Sequence, residues 1–323
     1  MPRSRRTLAL SALAVLAFAA LPARAEQLGF ILNSGDASIS IVDVQTHHEI
    51  RREPVLREPH HIVLSPDGRS VLVGDTGANE MLFLDPATGQ IKRRIPVSDP
   101  YQLQFSPDGS VLTVTGLARN QVDIYSADSM QLLHRIKLSA MPSHIAYAPD
   151  SSVAYVTLQE TDRLAAIVMK SGAVLWNAKV GETPAGVLWH DGKLLVGDMG
   201  ADDVAVVDPT DGSVERRIHT GRGAHNLFLS PDRRLIYVSN RVDSTITVLN
   251  ADTLDIQRQY KVPGGPDDLA FAPDGTIWVT QRFAHGLLFL DPATGATTRI
   301  DVGRSPHGLW LNTDQPTRVS SAR

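Results

Sequence analysis

Five of the 11 histidines sit in a set of paired positions that recurs about every 41 residues, each pair just after a proline or a small residue. The pairs are His60-His61, Tyr101-Gln102, Ser143-His144, Ala185-Gly186, His225-Asn226, Asp267-Asp268 and His307-Gly308. Imidazole nitrogens mixed with carboxylate oxygens make a ligand set for Zn, Cu, Fe or Ni, and imidazole also ligates haem iron. The candidate metal ligands are therefore His60, His61, His144, His225, Asp267, Asp268 and His307. Around them the candidate ligand-binding residues are Tyr101, Gln102, Asn226, Asn240, Arg241 and Arg282. The two guanidinium forks suit a small anion. A metal ligand must be neutral imidazole, so binding is expected to weaken as pH falls through the ordinary histidine range near 6.5. Strand alternation would send the adjacent His60 and His61 to opposite sides.

What must position these pairs is a repeat. A turn signature returns at Ser65-Pro66-Asp67-Gly68, Ser106-Pro107-Asp108-Gly109, Ala148-Pro149-Asp150-Ser151, Ser230-Pro231-Asp232-Arg233 and Ala272-Pro273-Asp274-Gly275. His190-Asp191-Gly192 and Asn312-Thr313-Asp314 are degenerate copies. Proline presets φ at the first corner, Asp tolerates the next, and Gly accepts φ > 0, so each copy reads as a hairpin turn. Each turn is followed by an apolar run such as Val71-Leu72-Val73, then a second run such as Met81 to Asp85 that often ends in Asp-Pro-Ala-Thr-Gly. A charged run such as Ile91 to Ile95 follows, and then the Pro-led segment that carries the chemistry. Four short strands in a unit of this length predict an all-β fold, a β-propeller of seven four-stranded antiparallel blades.

Register predicts how the ring closes. The chain enters at Phe30-Ile31-Leu32, which matches a second strand, and leaves at Gly308 to Leu311, which matches a first strand. The C-terminal inner strand should complete the N-terminal blade, a Velcro closure that leaves no open edge between the chain ends. Innermost strands ring a central channel, so the seven pairs should crowd one mouth. The ends of the second strands face the same way, which adds Asn33, Asp75, Asp198, Gln281 and His285 to the expected mouth.

The repeats resemble the YVTN-repeat propellers, on Tyr155-Val156-Thr157, Val238-Ser239-Asn240 and the Ser-Pro-Asp-Gly turns, from residue 28 to about 315. The resemblance implies the fold and leaves the activity open, because that family hosts many roles. Haem d1 propellers, which have eight blades, use channel-mouth histidines as iron ligands, and this keeps a haem-like group among the expected cofactors.

The N-terminus reads as an export signal. Arg3, Arg5 and Arg6 precede the apolar run Leu8 to Leu21, and Ala23-Arg24-Ala25 offers a cleavage site before Glu26. Ser4-Arg5-Arg6-Thr7-Leu8 also resembles a twin-arginine motif; either export route fits. The expected organisation is a signal peptide over 1–25, the propeller over 26–315 and a tail over 316–323, with a periplasmic or secreted product. Losing the signal removes four arginines and takes the formal net charge from −4 to −8. That sign argues against nucleic acid as a partner. The chain has no cysteine, so disulfides, thiolate metal sites and CxxCH haem attachment are excluded. The basic outer runs Arg51-Arg52, Lys92-Arg93-Arg94 and Arg216-Arg217 read as charged edges that discourage aggregation. Trp176, Trp189, Trp278 and Trp310 read as packing.

The functional expectation is a monomeric periplasmic binding protein, with no catalysis evident, that holds a transition metal, a haem-like group, a small anionic ligand or a protein partner at the His-rich mouth. One alternative is a lactonase-like metal-dependent hydrolase, to which Asn226, Asp267 and Asp268 could contribute although no channel Glu is evident. The other is a pure interaction scaffold.

Overall fold

The computed structural model describes residues 27–138 and 140–313. The signal expected over 1–25 and the tail expected over 316–323 lie outside the described residues. Between them the chain forms 28 strands in seven four-stranded antiparallel sheets. The inner strands are Pro59–Leu64, Gln102–Phe105, Pro142–Tyr147, Pro184–His190, Ala224–Leu229 and Pro266–Phe271, which open blades 2 to 7 in chain order, and Pro306–Leu311, which belongs to blade 1. That last strand pairs with Leu28–Asn33 through Gly29↔Leu311, Phe30↔Trp310 and Ile31↔Leu309, so the ring closes as its register predicts.

Local chemistry fixes the turns. In the first Ser-Pro-Asp-Gly copy, Gly68 N–H donates to Ser65 C=O at 2.9 Å and the Ser65 hydroxyl donates to Asp67 at 2.7 Å. Gly68 takes φ +69° and meets no neighbour that forbids it. In the Asp-Pro-Ala-Thr-Gly copy, the Asp85 carboxylate accepts from Ala87 and Thr88 N–H, and Gly89 N–H returns to Asp85 C=O at 2.7 Å.

The second and third strands of each blade are buried on both faces, while outer strands such as Glu49–Pro54 alternate with solvent. Apolar side chains of adjacent blades therefore pack between the sheets, and seven clusters lie at the seven blade interfaces. Trp278 and Trp310 belong to two of them, with Trp310 against Phe30 at 5.1 Å, and Trp176 and Trp189 flank Tyr155. The basic outer residues pair locally: Arg94 with Glu80, Arg52 with Glu49, Arg217 with Asp203, and Arg93 over the Phe83 ring at 4.4 Å.

Candidate functional site

Each inner strand carries the same irregularity at its paired positions. Between Pro59↔Asp75 and Ile62↔Val73 the inner strand holds one residue more than its partner. The same step recurs at Pro142/Ile145, Pro184/Val187, Ala224/Asn226, Pro266/Leu269 and Pro306/Leu309. In blade 3, Tyr101 N–H bonds to Thr115 C=O at 2.8 Å while Gln102 also pairs with Thr115. A β-bulge of this kind re-aims side chains at the rim of a closed sheet system. It overturns the expectation that His60 and His61 part company: their ring centroids are 4.8 Å apart, their Nδ1 atoms 2.9 Å apart, and both are buried.

In blades 3, 4, 6 and 7 a hydroxyl on the second strand holds the bulge. Thr157 Oγ1 accepts from His144 N–H at 3.0 Å and donates to Ala185 C=O of the next blade at 2.7 Å. Thr115 does the same for Gln102 N–H and Ser143 C=O, and Thr280 for Asp268 N–H and His307 C=O. This is the physical content of the recurring Val-Thr in the sequence. These threonines were not among the expected site residues; the repeat itself is the signal that could have found them. Blade 2 has Gly74 instead, because Pro100 C=O lies 2.2 Å from where a Cβ would stand.

The bulges gather His60, His61, His144, His225, His307, Tyr101, Asp267, Arg241 and Arg282. His60 lies 3.9 Å from His307 and 4.0 Å from Tyr101, ring centre to ring centre. His61 is 4.7 Å from His307 and 5.2 Å from His144, and His144 is 5.3 Å from His225. Ligand atoms of His60, His61 and His307 all lie within 4.8 Å of one another, so this buried cluster could coordinate a metal ion. Asp267 accepts from Arg241 Nε at 2.6 Å and lies 3.2 Å from His225 Nδ1 and 3.5 Å from His307 Nε2. Arg241 also reaches His307 Nε2 at 3.4 Å. The Ser143 hydroxyl, itself held by Gln159, meets His144 Nδ1 at 2.6 Å.

Burial strips these imidazoles of water, and the neighbouring histidines and guanidinium groups add to the effect. His60, His144, His225 and His307 are held well below the usual histidine range, and His61 is pushed down to about 3. All five are therefore neutral at physiological pH. The expectation that ligand competence fades near pH 6.5 is corrected accordingly: the fade moves to lower pH. One tautomer follows from geometry. The Tyr101 C=O, 2.8 Å from His61 Nδ1, can only accept, so Nδ1 carries the proton and Nε2 carries a lone pair. That Nε2 is buried without a hydrogen-bond partner, as are His144 Nε2, both nitrogens of His225, His307 Nδ1 and Asp267 Oδ2. The 3.2 Å approach of His225 to Asp267 lacks hydrogen-bond geometry, which is why its Nδ1 belongs with this set.

Other expected residues have different duties. Gln102 Oε1 accepts Ile145 N–H of the next blade at 2.6 Å, so it straps blades together. Asn226 donates to Asp268 at 3.1 Å. Desolvation and the neighbouring Asp267 push the Asp268 carboxyl up to about 7. Asn240 does not turn to the cluster; its amide bonds Thr220, Thr245 and Thr247 within its own blade. Asp75 likewise caps Arg57 and Glu58 N–H, and Gln281 bonds Pro263 C=O. These second-strand ends bond nearby loops and strands, and Arg241, which follows one of them, reaches the cluster.

The sequence model of the family described as "YNCE-like beta-propeller" matches residues 6–317. The chain is 29% identical over 91 residues to an uncharacterized protein YncE of Salmonella typhimurium, a stretch that is 28% of this chain and 26% of that protein. The match therefore spans about a quarter of that curated relative's length. In structure, a functionally unknown protein from Desulfotomaculum acetoxidans is similar at TM-score 0.77 and 12% identity, covering 88% of this chain and 98% of that one. The dihydro-heme d1 dehydrogenase NirN, in complex with DHE, is similar at TM-score 0.68 and 16% identity, over 90% of this chain and 76% of that one. A putative 6-phosphogluconolactonase from Bacteroides fragilis is similar at TM-score 0.70 and 16% identity, over 88% and 98%. At these identities the structural likeness shows the fold alone.

Proposed function

The chain belongs to the YncE-like β-propeller family, and from that premise we propose that it is an exported metal-binding propeller whose ion is held by His60, His61 and His307 at the channel mouth. The observation that carries this reading is that the three rings are buried and neutral, that their ligand atoms lie within 4.8 Å of one another, and that His61 Nε2 and His307 Nδ1 have no protein partner. Leaving several such groups desolvated is unfavourable unless something binds them. Neutral imidazole suits Zn, Cu, Ni or Fe. Zn–N bonds of about 2.0–2.1 Å put tetrahedral ligand nitrogens roughly 3.3 Å apart, so the cluster would close on an ion by small side-chain rotations. Ring centres 3.9–4.8 Å apart are in contact, so an ion would lie at the nitrogen edges once the rings turn, and no haem-like macrocycle fits among them. Export is carried in this reading by the sequence of residues 1–25.

Asp268 supports a second reading. A carboxyl that titrates near neutrality beside the cluster could accept a proton from metal-bound water, as a lactonase-like hydrolase requires. The experiment that tests both begins with calorimetric titration of Zn, Cu and Ni into wild type and into His61→Ala plus His307→Ala, with circular dichroism to verify the fold. Binding by the wild type and its loss in the folded double variant is the expected result. Equal binding by the two proteins, or no binding by either, refutes the site. Lactone turnover by the Zn-loaded wild type, lost in Asp268→Asn, would establish the hydrolase.

A further inference from the structure

Arg241 and Arg282 follow the second strands of the adjacent blades 6 and 7, and they are not equivalent. Arg241 spends its fork on Asp267. Arg282 is half-buried, and among the described residues its hydrogen bond goes to the Ser305 carbonyl at 3.3 Å, with no carboxylate in ion-pair contact. A guanidinium taken largely out of water without an anion is costly. Beside the cluster the charged groups are the two guanidinium groups, the Asp267 carboxylate, the Asp268 carboxyl pushed up to about 7, and the exposed Glu58, with neutral imidazoles between them.

We propose that the mouth takes a small carboxylate with an apolar body, its two oxygens received by the Arg282 fork and its apolar part lying against the rim. The class rests on three features. A guanidinium presents two parallel N–H donors that match a planar carboxylate. Burial and the neighbouring Arg241 disfavour the charge on Arg282 more than Asp267 and Glu58 favour it, so the fork gains from an added anion. The rim beside the arginines is apolar: Phe283 is 65% exposed and Val242 59% exposed, each next in sequence to one of the two arginines. Phe283 covers Gly265 and Val242 covers Gly223, in the loops that lead into the inner strands of blades 7 and 6. Exposed apolar side chains in the loops that carry the two arginines, beside a half-buried charged fork, suit an amphiphilic anion.

The inference deepens the metal-binding reading, since an ion in the imidazole cluster would face the same carboxylate and strengthen its binding by linkage. It does not depend on that ion. The test is calorimetric titration of benzoate, acetate and inorganic phosphate into metal-free and Zn-treated protein, with Arg282→Ala, Arg282→Lys and Phe283→Ala compared by melting curve to ensure they are folded. Benzoate should bind metal-free wild type more tightly than acetate or phosphate. Arg282→Ala should lose about tenfold or more of that affinity, as a charge-assisted pair implies, and Arg282→Lys should recover part of it. Phe283→Ala should weaken benzoate and leave acetate unchanged. Equal benzoate affinity in wild type and Arg282→Ala, no benzoate binding, or phosphate binding as tight as benzoate would each overturn the proposal. Zn titrated without carboxylate reports separately, so failure of the metal site leaves the Arg282 result readable.

Discussion

Replacing Thr157 with valine keeps the shape of a fully buried side chain and removes one oxygen. That oxygen serves two backbone groups, the His144 N–H at 3.0 Å and the Ala185 C=O at 2.7 Å. Neither has room to reach water, so Thr157→Val orphans a donor in blade 4 and an acceptor in blade 5. Each unsatisfied buried group costs about 1–3 kcal/mol, so the pair together should cost about 2–6 kcal/mol. At roughly 2–4 °C per kcal/mol for a domain of this order, melting should fall by roughly 4–24 °C. Thr157→Ser keeps the hydroxyl and should lose much less. The site should respond too, because the same bond holds the His144 bulge, whose ring packs against the His61 ligand at 5.2 Å, and metal affinity should drop in Thr157→Val more than in Thr157→Ser. Urea unfolding and thermal melting of the three proteins measure the first effect, and calorimetry the second. A Thr157→Val protein within about 0.5 kcal/mol of wild type would refute the idea that hydroxyls between blades fix the bulges.

The closing strand should be indispensable: a chain ending at Gly303 loses the partner of Leu28–Asn33 and should be insoluble or melt far earlier, and Trp310→Ala alone should cost about 3–5 kcal/mol. An unchanged melting curve for either would contradict the closure. Asp198 is fully buried with Oδ1 unpartnered, and desolvation with the neighbouring Asp203 pushes its carboxyl up to about 8. An unfolded Asp titrates near 3.9, so the folded state holds a proton that the unfolded state has released between roughly pH 4 and 8. Stability from this group is present below that window and is lost as pH rises through about 8, and Asp198→Asn should flatten the loss. Parallel melting profiles of Asp198→Asn and wild type from pH 5 to 9 would show the sign to be wrong.

Seven blades, four strands in each, the hairpin turns and the one-plus-three closure were all legible in the sequence. They rest on short-range rules: proline and glycine at fixed turn corners, alternating apolar runs, and a repeat that multiplies each weak signal. The channel pairs were legible as positions for the same reason. Their roles were not. Gln102 and Asn240 have the residue types of ligand contacts, yet one holds a backbone N–H of the next blade 43 residues away and the other fastens Thr220, 20 residues back. His60 and His61 share one pocket because an extra residue breaks the strand alternation there. The sequence by itself determined which residues stand at the mouth, since register follows from local periodicity. Only the tertiary structure decided which way they point, how far burial lowers their basicity and which nitrogens lack partners, because those depend on contacts between blades that no local pattern encodes.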